Sequence, residues 1–237
     1  MVRLTWLGQG GFLFEVDGTR LVVDPYLSGS LTHLTALAPP VIKMADVAPD
    51  LYVCTHVHGD HLDEPTVRYW IASSTCTFLG PASVTDELAS MGLSAQRRVT
   101  LEPNQSHEHD ALKIIAAPAK HTSPDAIGLL IQCGRMQMYL SGDTVLTPEI
   151  ESFARGAAPV CVALVCINGK HGNMDHVDAA RLVSLMQPRV AVPMHYGLFA
   201  ENTADPVLFR DELEPFAIPC RFLQPGKPYA VTETGIE

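Results

Sequence analysis

Positive charge is scarce in this sequence, and no run of lysines and arginines occurs in it. Its 237 residues include 16 Lys and Arg against 26 Asp and Glu, which gives a formal net charge of -10. An acidic surface repels the phosphate backbone of nucleic acids, so we expect no nucleic-acid partner. An anionic small-molecule substrate would need local cations, and bound metal ions can supply them.

Long apolar runs are missing as well. No stretch reaches the roughly 20 consecutive apolar residues that cross a bilayer, and the amino-terminal residues have neither the apolar run nor the cleavage site of a signal peptide. We therefore expect a cytoplasmic protein without membrane contact. No pattern marks an interface, so a homo-oligomer is an open alternative.

Cysteine pairs with metal-binding spacing are also absent. The six cysteines are scattered, and no two of them have C-x-x-C spacing. Most lie inside apolar, strand-like runs, which favours reduced core thiols over a disulfide framework or a thiolate zinc site. They are Cys54, Cys76, Cys133, Cys161, Cys166 and Cys220.

The hydrophobic pattern predicts one mixed α/β domain over residues 1–237. Apolar residues make up 47% of the chain, enough for a sizeable core, and no linker or repeat interrupts it. Phe12, Phe14 and Val16 alternate with less apolar residues as a strand requires, and later segments read as helices with one apolar stripe. Two face-to-face sheets with helices outside would bury such a pattern.

Several residues outside the main motif have ordinary structural interpretations. Asp63 is expected to cap a helix. His107 and His109 are expected in a hairpin turn, because the stretch around them is polar. Trp6 and Trp70 are expected in the core.

The strongest chemical signal is a cluster of histidines and an aspartate directly after a short apolar strand. Residues two apart on an extended chain point the same way, so His56 and His58 can share one metal ion. Gly59 permits a sharp turn, which can aim Asp60 and His61 at a second position. Imidazole and carboxylate ligands suit zinc, manganese or iron. A histidine-rich surface loop is the alternative.

Three further residues of ligand type follow predicted strands. They are His121, Asp143 in a Ser-Gly-Asp turn, and His195. Each of them alone is more often an ordinary loop residue, but loops after strands converge at one edge of a sheet. Together with the histidine cluster, they predict a site for one or two divalent metal ions, manganese or zinc.

The order H-x-H-x-D-H, then a His, then the Asp of S-G-D, then a final His resembles the metallo-β-lactamase superfamily. The resemblance covers nearly the whole chain, including Asp24-Pro25. It implies a four-layer αββα sandwich. It also implies one ion held by His56, His58 and His121, a second held by Asp60, His61 and His195, and Asp143 bridging the two.

A finer resemblance points to the branch that contains L-ascorbate 6-phosphate lactonase, reported with manganese or zinc. It rests on Asn168–Met174, Asp178–Ala180, Pro193–Gly197 and Glu201–Pro206. The resemblance implies a hydrolase that opens a small lactone or ester, with or without a phosphate group, by means of a metal-bound hydroxide.

Asp60, Asp143 and His195 are the predicted catalytic residues. Two ions that share a water molecule lower its pKa towards neutrality. Asp143 would bridge the ions, and either Asp60 or His195 would relay the proton to the leaving group. The sequence leaves open which of the two does so.

Four residues are candidates for substrate contacts. Lys170, His171 and Asn173 lie in a glycine-flanked loop after a buried strand and can bind an anionic group such as phosphate, or they form a solvated loop. Tyr196 can donate to a developing oxyanion or pack against the wall of the site. His33, in the loop after Asp24, either overhangs the pocket or is exposed.

Three other functions compete with lactone hydrolysis. The same ions can serve a phosphodiesterase that acts on cyclic or modified nucleotides. A mononuclear iron, thiol-dependent dioxygenase keeps the same histidines, although His58 replaces the glutamate typical of flavo-diiron oxidoreductases and so favours hydrolysis. A metal-binding module without turnover is the third alternative.

Overall fold

Fourteen β-strands form two sheets in the computed structural model, which describes residues 1–237. The first sheet contains β1 (Val2–Gly8), β2 (Gly11–Val16), β3 (Thr19–Val23), β4 (Leu51–Val53), β5 (Thr77–Gly80), β6 (Arg98–Thr100), β13 (Pro228–Thr232) and β14 (Gly235–Ile236), in the spatial order β14-β13-β1-β2-β3-β4-β5-β6. The second contains β7 (Ser106–His109), β8 (Leu112–Pro118), β9 (Ile127–Cys133), β10 (Met136–Leu140), β11 (Val162–Cys166) and β12 (Val190–Met194), in the order β12-β11-β10-β9-β8-β7.

The five α-helices are α1 (Glu64–Ser73), α2 (Ala82–Ser90), α3 (Pro148–Ala157), α4 (His176–Met186) and α5 (Pro206–Leu213). The last three begin at capping residues whose side chains accept backbone N–H groups of the first turn: Thr147, Asp175 and Asp205. None of the helices has the length and apolarity that a bilayer crossing requires.

Side chains of the first sheet face two different cores. On β3, Leu21 and Val23 point into a central core of 50 buried residues, whereas Val22 between them belongs to a separate core of 15. This alternation follows from the period of two along a strand. Tyr52 of β4 and Trp70 of α1 lie in the smaller core with Val22. The smaller core therefore lies between one face of the first sheet and helices α1 and α2. The central core lies on the other face of the first sheet.

The second sheet is covered on both faces. Every residue of β11 and β12 is buried, and the two strands are parallel. Continuous apolar runs are typical of such strands because neither face meets water. Ala179, Leu182 and Met186 of α4 join the central core. Two sheets with helices on both outer faces make a four-layer αββα sandwich, which confirms the predicted fold class.

Strand direction places the chemically interesting loops together. In the second sheet β8, β10, β11 and β12 all run the same way, because β9 is antiparallel to β8 and β10 while β10, β11 and β12 are parallel. The loop after β4 in the first sheet reaches the same edge: the Ile127 amide donates to the Thr55 carbonyl oxygen at 3.1 Å. The segments that follow β4, β8, β10 and β12 therefore meet at one edge of the sandwich.

Two local predictions need correction. His107 and His109 lie on β7, paired with β8, rather than in the turn that follows them. Asp63 does precede α1, but its side chain accepts no hydrogen bond from the first-turn backbone. It accepts instead from the amides of Leu27 and Ser28, so it anchors the loop after β3. Trp6 and Trp70 are buried, and all six cysteines are unpaired.

Candidate metal centre

The histidine motif begins directly after β4 and folds back in a tight turn. The amides of His61 and Leu62 both donate to the carbonyl oxygen of His58, at 2.9 and 2.7 Å. A Cβ atom on Gly59 would lie 3.1 Å from Cδ2 of Leu31, so glycine fits closely under the neighbouring loop. The turn separates the two histidines before the glycine from the aspartate and histidine after it.

His56, His58 and His121 form the first ligand group. Nε2 of His56 lies 3.0 Å from Nδ1 of His58, and Nε2 of His121 lies 3.1 Å from the same atom. The carbonyl oxygen of Gly172 lies 3.1 Å from Nδ1 of His121 and accepts a hydrogen bond from it, which leaves Nε2 free to act as a ligand. Three imidazole nitrogens therefore converge on one point, as the ligands of a single ion must.

Asp60, His61 and His195 form the second ligand group. The Nε2 atoms of His61 and His195 are 3.4 Å apart. Oδ2 of Asp60 lies 3.7 Å from Nε2 of His61 and 3.5 Å from Nε2 of His195. Both histidines are fully buried, whereas the aspartate side chain is 15% exposed. The aspartate is therefore the member of this group with the best access to a substrate.

Asp143 lies between the two groups. Its Oδ2 is 3.1 Å from Nε2 of His195 and 3.8 Å from Nε2 of His121, and its Oδ1 is 3.5 Å from Nε2 of His61. Gly142 before it has a left-handed φ of 57°, and a Cβ there would lie 2.7 Å from a backbone carbonyl oxygen, so the turn requires glycine. The structure thus brings together all seven predicted ligands, with the aspartate placed as a bridging ligand would be.

The electrostatics of the ion-free centre divide its histidines into two kinds. Burial, together with neighbouring imidazoles, lowers the pKa of His56 well below its usual value. Burial also acts against the charged forms of His61 and His195, but the carboxylates of Asp143 and Asp60 outweigh it. They raise the pKa of His61 well above its usual value and that of His195 to about 9. The two carboxylates therefore favour the positively charged forms of His61 and His195.

Divalent ions fit this donor set. Oδ1 of Asp143 is buried and has no hydrogen-bond partner, which is an expensive state for a carboxylate oxygen unless a cation faces it. All seven side chains offer nitrogen or oxygen atoms and none offers a thiolate, a set that accepts manganese, zinc or iron. An ion in the second group would replace the positive charge that protons on His61 and His195 supply in its absence.

A row of asparagine side chains holds the carboxylate of Asp143. Nδ2 of Asn173 donates to Oδ2 of Asp143 at 2.8 Å and to Oδ1 of Asn168 at 3.0 Å. Nδ2 of Asn168 in turn donates to Oδ1 of Asn202 at 2.7 Å. Asn173 was predicted to contact substrate, but its amide is already committed to Asp143. It therefore orients a ligand.

Sequence reasoning assigned no role to three residues that shape the centre. Oδ2 of Asp24 accepts from Nδ1 of His61 at 2.8 Å and from Oγ1 of Thr55 at 2.6 Å, which points Nε2 of His61 at the ligand group. A Cβ on Gly10 would lie 2.7 Å from Cε1 of His61, and the buried Gln9 beside it also reaches the centre. Two sequence signals pointed to them: Asp24 is a carboxylate directly after β3, and Gln9 is a polar residue between two glycines after β1.

A polar cavity of about 440 Å³ opens above the two groups. The loop between β3 and β4, which carries His33, forms one wall. It is fixed by hydrogen bonds from the Leu37 amide to the Leu198 carbonyl oxygen at 2.8 Å and from the Ala200 amide to the Thr35 carbonyl oxygen at 2.9 Å. The residues that line the cavity are Leu31, His33, Leu34, His58, Gly59, Asp60, His121, Thr122, Asp143, His171, Glu201 and Asn202.

The remaining candidates for substrate contact lie in different places. His171 lines the cavity. Lys170 is exposed near it, and its Nζ donates to the carbonyl oxygen of Glu201 at 3.0 Å. Tyr196 stacks on Trp6, with ring centroids 4.9 Å apart, and lines a separate apolar pocket. Tyr196 is not among the residues that line the cavity, which favours the packing role over the substrate contact.

Comparison with known proteins agrees with this architecture. Residues 19–196 match the family described as a β-lactamase superfamily domain. A UPF0173 metal-dependent hydrolase of Methanopyrus kandleri is 31% identical, over 96% of this chain and 99% of its own length. Its counterpart in Aeropyrum pernix is 33% identical, over 97% of each chain. Igni18, a metallo hydrolase from Ignicoccus hospitalis, has 27% identity and a TM-score of 0.79, over 96% of this chain and 97% of that one. The chain therefore belongs to the metallo-β-lactamase superfamily and, within it, to the UPF0173 family of metal-dependent hydrolases.

Proposed function

We propose that this hydrolase opens a small lactone or ester, with or without a phosphate group, in the polar cavity. The observation that carries the proposal is the position of Asp143. It contacts a histidine of each ligand group and also lines the cavity, so two adjacent ions would sit where a substrate can reach them. Two such ions, manganese or zinc, would lower the pKa of a water molecule held between them and polarise the group under attack.

The residues of the chain would hold the two ions and fix the orientation of their ligands. His56, His58 and His121 hold the first position, and the second is held by Asp60, His61 and His195. The carbonyl oxygen of Gly172 and the carboxylate of Asp24 hold their histidines by Nδ1, so that Nε2 faces the centre. Such outer partners hold the ligands rigid during turnover.

Asp60 is the better candidate for moving the proton. Its side chain is 15% exposed and lines the cavity, whereas that of His195 is 1% exposed. The neighbouring histidines outweigh the effect of burial and lower the pKa of Asp60, so its carboxylate is ionised and can accept a hydrogen bond from the attacking water. We propose that Asp60 orients this water and relays its proton to the leaving oxygen.

The cavity favours a small, polar, anionic substrate. Only two of its twelve lining residues are apolar, and its volume of about 440 Å³ suits a metabolite rather than a polymer. His33 and His171 in its wall can donate to an anionic group. The resemblance to the L-ascorbate 6-phosphate lactonase branch rests partly on the loop with Asn168 and Asn173, which supports Asp143. That resemblance supports a phosphorylated lactone as the first substrate to try.

The experiment combines metal content with turnover. Wild type, Asp143→Ala and the surface control Asp211→Ala are purified without chelator, analysed for metals, and assayed on panels of lactones and phosphodiesters. We expect manganese or zinc at about one or two per chain, lactone turnover in wild type and in the control, and loss of both in Asp143→Ala.

Three results would contradict the proposal. Preference for the phosphodiester panel would assign the site to cyclic or modified nucleotides. Iron, with thiol-dependent oxygen uptake, would assign it to a dioxygenase. Bound metal without turnover of either panel would make the chain a metal-binding module.

A further inference from the structure

Gln9 occupies an unusual place in the turn between β1 and β2. Its side chain is completely buried, and its backbone has a left-handed φ of 49°. Left-handed conformations are uncommon for residues other than glycine, asparagine and aspartate. Gly8 and Gly10 flank it, and the latter lies against His61. The turn therefore carries a glutamine, in an uncommon backbone conformation, into the floor of the centre.

The carboxamide of Gln9 touches two members of the second ligand group at once. Nε2 donates to Oδ2 of Asp60 at 2.8 Å and lies 3.2 Å from Nε2 of His195. The same Oδ2 atom faces both histidines of this group. A carboxylate oxygen has more than one lone pair, so it can accept this hydrogen bond and still face an ion.

The backbone of Gln9 also contacts His195. The Gln9 carbonyl oxygen accepts the His195 amide at 3.0 Å and Nε1 of Trp6 at 3.1 Å. His195 itself has a left-handed φ of 65°. Gln9 and His195, both in uncommon backbone conformations, therefore contact each other through the main chain and through their side chains.

A role in packing alone does not account for the carboxamide. Oε1 of Gln9 is buried and has no hydrogen-bond partner. A buried acceptor without a donor destabilises the fold, and an apolar side chain of similar volume would avoid that penalty. The nitrogen end of the group has a clear partner in Asp60, and that partner is a predicted metal ligand.

We propose that Gln9 is a positioning residue for the second ligand group: it orients Asp60 and His195 for metal binding and leaves the first group unaffected. The proposal rests on the metal-binding part of the proposed function and not on its substrate. Its test therefore measures zinc affinity rather than turnover.

Two substitutions separate the side-chain role from the backbone role. Gln9→Met keeps the length and volume but removes both polar atoms. Gln9→Asn tolerates the left-handed backbone and stays polar, but it is one methylene shorter, so its amide cannot reach Asp60. If only the backbone matters, Gln9→Asn behaves as wild type. Gln132→Met is the matched control, because Gln132 bonds to Gln137 at the hairpin between β9 and β10, remote from the centre.

Each substitution is introduced into two backgrounds that retain one ligand group each. His58→Ala keeps the second group, and Asp60→Ala keeps the first. Chelator-treated proteins are titrated with Zn²⁺ against a chromophoric chelator, and the unfolding temperature of each ion-free variant is recorded. In the His58→Ala background we expect both Gln9 substitutions to weaken zinc binding about 10- to 100-fold, the usual effect of losing an outer partner of a ligand. In the Asp60→Ala background we expect a change of less than about twofold, because the carboxamide of Gln9 hydrogen-bonds to no histidine of the first group.

Several results would overturn the proposal. Unchanged affinity in the His58→Ala background, or wild-type behaviour of Gln9→Asn, would reduce Gln9 to a backbone role. Equal weakening in both backgrounds with a lower ion-free unfolding temperature would mean general damage to the fold. Failure of the unsubstituted protein to bind zinc, manganese or iron would refute the proposed metal site itself, a result distinct from the others.

Discussion

The carboxylate of Asp24 acts on the centre through His61, and an amide of the same shape tests how much that contact contributes. Asp24→Asn keeps the side-chain volume but removes the charge from Oδ2, which accepts from Nδ1 of His61 at 2.8 Å and from Oγ1 of Thr55 at 2.6 Å. An amide nitrogen in that position would face two donors. His61 would then lose the partner that directs its Nε2 towards the second ligand group.

The expected loss follows from this geometry. Removing the outer partner of a ligating histidine lowers metal affinity about 10- to 100-fold, which corresponds to about 1.4–2.7 kcal/mol. Most of the loss should fall on the second ligand group, because Asp24 contacts His61 directly and reaches His56 of the first group through Thr55, whose Oγ1 lies 3.0 Å from Nδ1 of His56. One of the carboxylates that raise the pKa of His61 also disappears, so protons compete less with the ion and the affinity should depend less steeply on pH.

Asp63→Asn is a matched control for Asp24→Asn. Asp63 is also buried and accepts backbone amides, from Leu27 at 2.9 Å and Ser28 at 2.8 Å, but it contacts no ligand. We expect Asp63→Asn to lower the unfolding temperature without changing zinc affinity, measured by competition with a chromophoric chelator. The reasoning fails if Asp24→Asn binds zinc within twofold of wild type, or if both variants lose affinity equally.

Three further predictions concern the same centre. The pKa of His195 lies at about 9 against an ordinary 6.5, so the folded ion-free protein binds more protons than the unfolded chain between these values. Protonated His195 should therefore stabilise the fold by about 3 kcal/mol below about pH 6.5, and this contribution should be lost as the pH rises through about 9. Denaturant unfolding across this range measures the free energy of unfolding, and a flat profile would contradict the prediction. Gly10→Ala would place Cβ 2.7 Å from Cε1 of His61 and should weaken zinc binding, whereas Gly156→Ala on α3, where a Cβ would meet no atom within 4 Å, should leave zinc binding intact. Asn173→Leu removes the amide that holds the bridging aspartate and should lower kcat at least about tenfold with little change in KM; steady-state kinetics test this, and an unchanged kcat would assign the asparagine a packing role.

The set of candidate ligands that the structure brings together could be predicted from the sequence because it depends on local rules. Two histidines two residues apart after a strand point the same way, and a glycine then permits the turn, so His56, His58 and His61 could be assigned without a structure. His121 and His195 could be added because each lies within four residues of the end of a predicted strand. The fold class followed from similar rules. Strands with alternating apolar residues and helices with a single apolar face can be buried together in only a few layered arrangements.

The roles of the supporting residues could not be predicted in this way. Asn173 was predicted to face the substrate, yet its amide binds Asp143, 30 positions away in the sequence. Gln9 and Asp60 are 51 positions apart, and nothing in the spacing of either indicates their hydrogen bond. Tyr196 directly follows the candidate ligand His195 but packs against Trp6, a contact with the distant first strand that its position in the sequence does not indicate.

The sequence by itself therefore determined which chemistry is available: nitrogen and oxygen ligands after strands, no thiolate among them, and little positive charge to hold an anion. Only the tertiary structure decided which atoms meet. The sandwich brings the ends of β4, β8, β10 and β12 to one edge, where Asp143 lies 3.1 Å from Nε2 of one buried histidine and 3.8 Å from that of another. Such distances depend on how two sheets pack across a shared core, and packing couples residues that no local pattern connects.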